Sequence, residues 1–200
     1  MSILAASLAL VGAAAPMQAT DDVLRTYVTC AAKHGGVAMH SMLDTTSESE
    51  YRTAASDFSD VQRCVRQDEA ATAVLFATYN ENRGKLRGMI AEVLLKRSKT
   101  VARLAPLGQA KSYNAGWFTM TGRPHAVDEM AACVAAVDPA GIRTLLATQP
   151  GSAGQRLALG ALTPSLGTCL AKGYQLDTRP PGLRAALAEA LYQRDAGSAQ

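Results

Sequence analysis

Four cysteines and three histidines are the residues of this chain best suited to chemistry. Cys30, Cys64, Cys133 and Cys169 contain no Cys-x-x-Cys pair, and His34, His40 and His125 fall at unrelated spacings, so no metal-ligand pattern is present. Four cysteines allow three pairings. Cys30 and Cys64 lie 34 residues apart, and Cys133 and Cys169 lie 36 apart. That near-repetition selects one bridge in each half of the chain, Cys30–Cys64 and Cys133–Cys169. In the chain-entropy picture, closing loops of this size stabilises by roughly 4 kcal/mol each.

The histidines offer less. His34 precedes Gly35 and Gly36 at an expected helix end, where an imidazole meets the helix dipole favourably. His40 and Ser41 are neighbours on an expected helix and point in different directions. His125 lies near Asp128 and Glu129, but acidic residues are ordinary in a first helical turn. No Gly-x-Ser-x-Gly, His-Glu-x-x-His, phosphate loop or dinucleotide fingerprint occurs, so no catalytic residue and no cofactor is assigned.

The elements that must carry these residues are organised by a recurring string. Residues 86–97 (LRGMIAEVLLKR) and 183–194 (LRAALAEALYQR) match at six of twelve positions. Leu86, Ile90, Val93 and Leu94 form one apolar helical stripe, and Leu183, Leu187, Ala190 and Leu191 form its counterpart. Arg87 matches Arg184, and Glu92 matches Glu189. Within each copy the Arg and Glu face different directions, so each is expected to pair with another element. A shared scaffold contact and a duplicated ligand contact both fit.

Apolar residues make up 48% of the chain and aromatics 5%, with Ala and Leu abundant; this favours helix packing over a sheet. The expected fold is all-α, two related multi-helix repeats with one disulfide inside each. Residues 1–19 read as a secretory signal, because 3–15 is a short apolar run and Ala19 ends a small-residue site. The first repeat is expected over 20–104. Asp21 and Asp22 suit a helix start, a short helix covers about 37–43, and a cap at Thr45–Ser47 opens a helix from Glu48 toward Phe76. Residues 105–124, rich in Gly and Pro, read as a linker.

The second repeat covers 125–194. Asp138-Pro139 is an N-cap with proline at the first helical position, and Ser152 caps a helix that Pro164 would kink or split. Residues 195–200 are expected to be a disordered tail. The run Leu145–Ser152 (LLATQPGS) and the end Leu183–Tyr192 (LRAALAEALY) resemble uncharacterised exported proteins of alphaproteobacteria, chiefly over 126–194. The resemblance implies location and architecture, and no activity.

A net charge of +3 is too small to argue for nucleic acid, and after the signal no apolar run is long enough to span a membrane. The interaction candidates are a basic stretch, Arg83, Lys85, Arg87, Lys96, Arg97, Lys99 and Arg103, followed by Tyr113, Trp117 and Phe118. Such a stripe could meet a protein or an anionic envelope component, or be a solvated helix face. The aromatics could latch the halves together or anchor a partner. The expectation is an exported, non-enzymatic structural or interaction module of the cell envelope, periplasmic or secreted. The alternatives are a hydrolase-type enzyme with a site around His125 and Asp128, and a small-ligand binding protein with a cavity near Trp117.

Overall fold

A computed structural model describes residues 15–34, 36–59, 64, 83–110, 112–174 and 180–198. Among them are eight α-helices and no strand. They are α1 (Ala15–His34), α2 (Gly36–Asp44), α3 (Glu48–Ser59), α4 (Arg83–Leu95), α5 (His125–Val137), α6 (Pro139–Leu146), α7 (Ala153–Cys169) and α8 (Pro180–Ser198). Short 3-10 turns at Val101–Arg103 and Gly116–Met120 punctuate the stretch between α4 and α5. Both disulfides form as the spacing predicts, Cys30 to Cys64 and Cys133 to Cys169.

The local signals act where the sequence places them. Ser47 Oγ accepts from the Glu50 amide at 3.3 Å, while Glu50 Oε2 accepts from the amides of Thr46 at 2.7 Å and Ser47 at 3.2 Å. This capping box satisfies amide groups that the first turn of α3 would leave open. Ser152 caps α7, its Oγ accepting from the Gln155 amide at 3.1 Å, while Gln155 Oε1 accepts from the Gly151 amide at 3.1 Å. Asp138 caps α6 by accepting from the Gly141 amide at 2.8 Å. Pro164 lies inside α7, which continues past it to Cys169.

Two expectations change, and a third falls partly outside the described residues. α1 begins at Ala15, so Asp21 and Asp22 lie inside the helix and not at its start. α8 runs on to Ser198, and Asp195 is buried at 8% exposure because two hydroxyl groups hold its carboxylate; helix and contacts replace the tail expected from 195. The expected helix toward Phe76 is described only to Ser59 and at Cys64; its remainder lies outside the described residues.

The core is centred on α4 and α8, the two helices that carry the recurring string. They pack on each other, and α8 also packs on α5 and α6. The crossing falls on Gly88 and Ala185, which occupy the same place in the string. A Cβ at position 88 would stand 2.3 Å from the Ala185 Cβ, so only glycine permits this approach. Both helices are covered nearly all round: Leu86 to Glu92 without interruption, and Leu183 to Tyr192 likewise, are buried.

Burial on that scale takes the string's charges inside, where each must be paired and hydrogen-bonded. Arg87 Nε donates to Glu189 Oε1 at 2.6 Å, and both side chains are fully buried. The remaining Arg87 donors end α2: Nη1 reaches Met42 O and Thr45 Oγ1, and Nη2 reaches Leu43 O at 2.8 Å. Arg184 does the same for Glu92 and α6. Its Nη2 and Nε meet Glu92 at 2.7 and 3.0 Å, and it donates to the carbonyls of Leu145, Leu146 and Thr148. Each arginine thus closes the C-terminus of a short helix and binds the glutamate of the opposite string.

Candidate functional site

A cleft of about 540 Å³ opens where the C-terminal ends of α1, α4 and α8 meet the start of α2. The end of α1 at His34 and the restart of the chain as α2 at Gly36 form one wall. Arg97, just past α4, donates to Ala32 O in the last turn of α1 and fixes the two helices together. Leu94, Leu95 and Ala196 supply apolar floor and rim.

Two polar groupings face this cleft. Ser98 Oγ donates to Asp195 Oδ2 at 2.5 Å, and Thr100 Oγ1 donates to Asp195 Oδ1 at 2.6 Å. Both carboxylate oxygens are therefore engaged. On the other side, His40 Nδ1 and the Tyr192 hydroxyl are 2.7 Å apart, with the ring centres at 5.8 Å. Burial pushes the Tyr192 phenol well above its ordinary range, and the nearby charges of Asp44 and Asp195 push it further. The phenol stays protonated and shares one hydrogen bond with His40 Nδ1, which leaves Nε2 of this exposed imidazole turned toward solvent. Ser98 donates its hydrogen bond to Asp195 while His40 is engaged with Tyr192, so the two groupings are separate hydrogen-bonded sets. What the cleft offers a ligand is the cations Arg97 and Lys33, with the His40 ring, over an apolar floor.

The basic stretch divides. Arg87 is buried in the core and belongs to no surface. Arg83 pairs with Glu48 and lies over the Tyr51 ring at 4.5 Å; Arg83 holds the Glu48 carboxyl at about 2, below its ordinary 4.5. Lys85 pairs with Asp21, and Lys96 with Glu92 at 3.4 Å. Arg97 lines the cleft, while Lys99 and Arg103 are exposed. Trp117 and Phe118 are buried edge to face at 4.5 Å, within the core. Tyr113 is half-buried against that core, and its hydroxyl accepts from the Ala110 amide at 3.0 Å.

His125 and Asp128 do not converge. The His125 side chain is 61% exposed and lies 3.8 Å from Glu129. Asp128 is sealed, accepting from Thr121 Oγ1 at 2.5 Å and Arg123 Nε at 2.6 Å. Arg123 also binds Glu189 and the Gly84 carbonyl. Sequence reasoning missed Arg123, Tyr192 and Asp195 as site-forming residues. The last two carry a faint signal: Tyr192 stands where the first string has Leu95, and Asp195, just past the second string, stands where Ser98 follows the first.

Among the described residues, no group of His, Cys, Asp and Glu could hold a metal ion, and no helix is long and apolar enough to cross a membrane. No protein-family model matches the chain, no curated protein matches it, and no solved structure matches it.

Proposed function

We infer that this chain is an exported, non-enzymatic interaction module of the cell envelope, built as a duplicated helical unit. The observation that carries the reading is the reciprocal use of matched residues. Arg87 and Arg184 each end a short helix and each bind the other string's glutamate. The polar chemistry of the two strings is spent on holding the halves together, which is the signature of a scaffold. Two oxidised cysteine pairs suit an oxidising compartment, in keeping with the apolar run at 3–15 and the resemblance to exported alphaproteobacterial proteins. The surface offered to a partner is the cleft, with exposed Lys99 between two of its lining residues, Ser98 and Thr100.

Two measurements test this. Alkylation of unreduced protein recovered from the periplasm should find no free thiol, with peptides bridged Cys30–Cys64 and Cys133–Cys169; free thiols would remove the export argument. A photo-crosslinking residue at Lys99 should give an adduct of discrete mass in envelope fractions, while one at Leu157, an apolar residue 76% exposed, should not. Equal labelling from both positions, or none from Lys99, would overturn the interaction reading.

A further inference from the structure

The cleft has a counterpart that is already filled. When Cys30 is set against Cys133, Ala32 falls on Ala135, Lys33 on Ala136 and His40 on Arg143; when Leu86 is set against Leu183, Arg97 falls on Arg194. Arg97 donates to Ala32 O, and Arg194 donates to Ala135 O, so the two walls are built alike. On the α5–α6 side, residues 101–107 lie in the groove. Arg143 Nη1 donates to Val101 O at 3.0 Å, Arg194 Nη2 donates to Ala105 O, and the Leu107 amide donates to Ala136 O at 2.8 Å. Val101 is buried there, and Leu104 packs half-buried against the core. The α1–α2 side places His40 and Arg97 at the positions of Arg143 and Arg194, with Lys33 at that of Ala136, around open space.

We propose that this open cleft binds a short acidic segment of a partner polypeptide, one 3-10 turn running into extended chain, in the manner in which the matching groove holds residues 101–107. The matched positions call for a peptide: Arg97 stands where Arg194 donates to the Ala105 carbonyl and His40 where Arg143 donates to that of Val101, over a floor that takes apolar side chains three residues apart, as Val101 and Leu104 are across one 3-10 turn. The charge selects its composition. Lys33 and Arg97 line the cleft without a carboxylate partner among the described residues, and the one carboxylate present, Asp195, is capped by Ser98 and Thr100. The filled groove has Ala136 in place of Lys33, and its occupant carries Arg103, exposed. An occupant of the open cleft needs an acid there instead. Val37, beside Gly36, is 83% exposed and extends the apolar area.

This inference deepens the interaction reading and can fail separately from it. The probe is a fluorescent peptide with the sequence of residues 100–108, together with the same peptide carrying Arg103→Glu, added to the oxidised full chain and followed by anisotropy. The acidic peptide should bind, and should do so at least about fivefold more tightly than the unchanged one, with affinity falling as salt rises. Lys33→Glu should reverse that preference. Gly36→Leu should weaken binding by more than about tenfold by filling the cleft, since a Cβ there meets nothing within 4 Å and the backbone φ is not positive. An unchanged circular dichroism melt would show that Gly36→Leu leaves the fold intact. Failure of both peptides to bind would overturn the proposal, whether the chain's own segments or nothing fills the cleft. Equal binding by Gly36→Leu and wild type would overturn it too, as would a dimer in sedimentation that Gly36→Leu abolishes, which would make a second copy the occupant. A Lys99 adduct in the envelope alongside such a failure would leave the interaction reading standing.

Discussion

The two Arg–Glu centres are made from the same residues at matching positions, yet one is sealed and the other meets water. Glu189 lies between Arg87 and Arg123, with Glu189 and Arg87 fully buried and Arg123 at 10% exposure. Glu92 lies between Arg184 and two cations at the rim, Arg25 at 3.7 Å and Lys96 at 3.4 Å, whose side chains are 33% and 62% exposed. The difference starts from one position. Where α1 has Arg25, α5 has Asp128, and the second half must bring in Arg123 from the preceding turn to join the two carboxylates. A buried charge held only by buried partners cannot turn to solvent when one is lost, whereas the rim cations can.

The comparison is broken most directly by neutralising each glutamate. Glu189→Gln should destabilise by about 3–5 kcal/mol, and Glu92→Gln by distinctly less, because Arg25 and Lys96 rehydrate. Urea unfolding at neutral pH measures both; equal losses would mean that solvent access does not separate the centres. Removing whole pairs sharpens the point. Arg184→Met with Glu92→Met should recover much of the single-variant loss, while Arg87→Met with Glu189→Met should recover little, since Arg123 stays buried beside Asp128 alone. A double-mutant cycle gives the two coupling energies.

Gly88→Ala should come next, at about 1–3 kcal/mol, because the overlap with Ala185 outweighs the gain of about 1 kcal/mol in helix propensity. A raised midpoint in urea would show that the α4–α8 crossing yields more easily than its geometry implies.

Acid should act on the centres in opposite senses. Burial pushes the Glu92 carboxyl up, but the Arg184 guanidinium, with Arg25 and Lys96, brings it below its ordinary 4.5. Its stabilisation is therefore complete above about 4.5 and is lost as pH falls beneath that. Burial leaves Asp128 above its ordinary 3.8 despite Arg123 and Thr121, so its protonation on the way down toward 3.8 favours the fold. Glu92→Gln should flatten the acid loss of stability, and Asp128→Asn should steepen it. The unfolding midpoint across roughly pH 3 to 7 shows both slopes. Smallest of all, Lys96→Ala should cost under about 0.5 kcal/mol and fade in high salt, since the lysine is exposed and Arg184 still holds the buried Glu92.

The helix order, the caps and the disulfide pairs were legible because each rests on local chemistry or on a spacing that occurs twice. Ser47 and Glu50 sit three apart wherever the chain goes, and the two Cys spacings differ by only two residues. Arg87 was not legible as a core residue. A charge beside an apolar stripe reads as a solvated flank, and only the arrival of α8 on that flank turns it inward. The matched Arg and Glu in both strings held the clue, since a reciprocal exchange is one arrangement that satisfies all four. The cleft was less legible still. Its Tyr192 stands where the first string has Leu95, and its Asp195, just past the second string, where Ser98 follows the first, so the features that distinguish it lie where the two copies disagree.

The exchange between Arg87 and Glu189 spans 102 residues, and that between Arg184 and Glu92 spans 92. Synthesis runs from the N-terminus, so Arg87 emerges well ahead of the carboxylate that will neutralise it. Without α8, α4 holds a cation with no carboxylate to meet it in a core. A chain lacking α8 is therefore expected to leave that face of α4 hydrated, and docking of α8 is expected to close both Arg–Glu pairs at once. A nascent chain cut short before α8 should be open to proteases throughout.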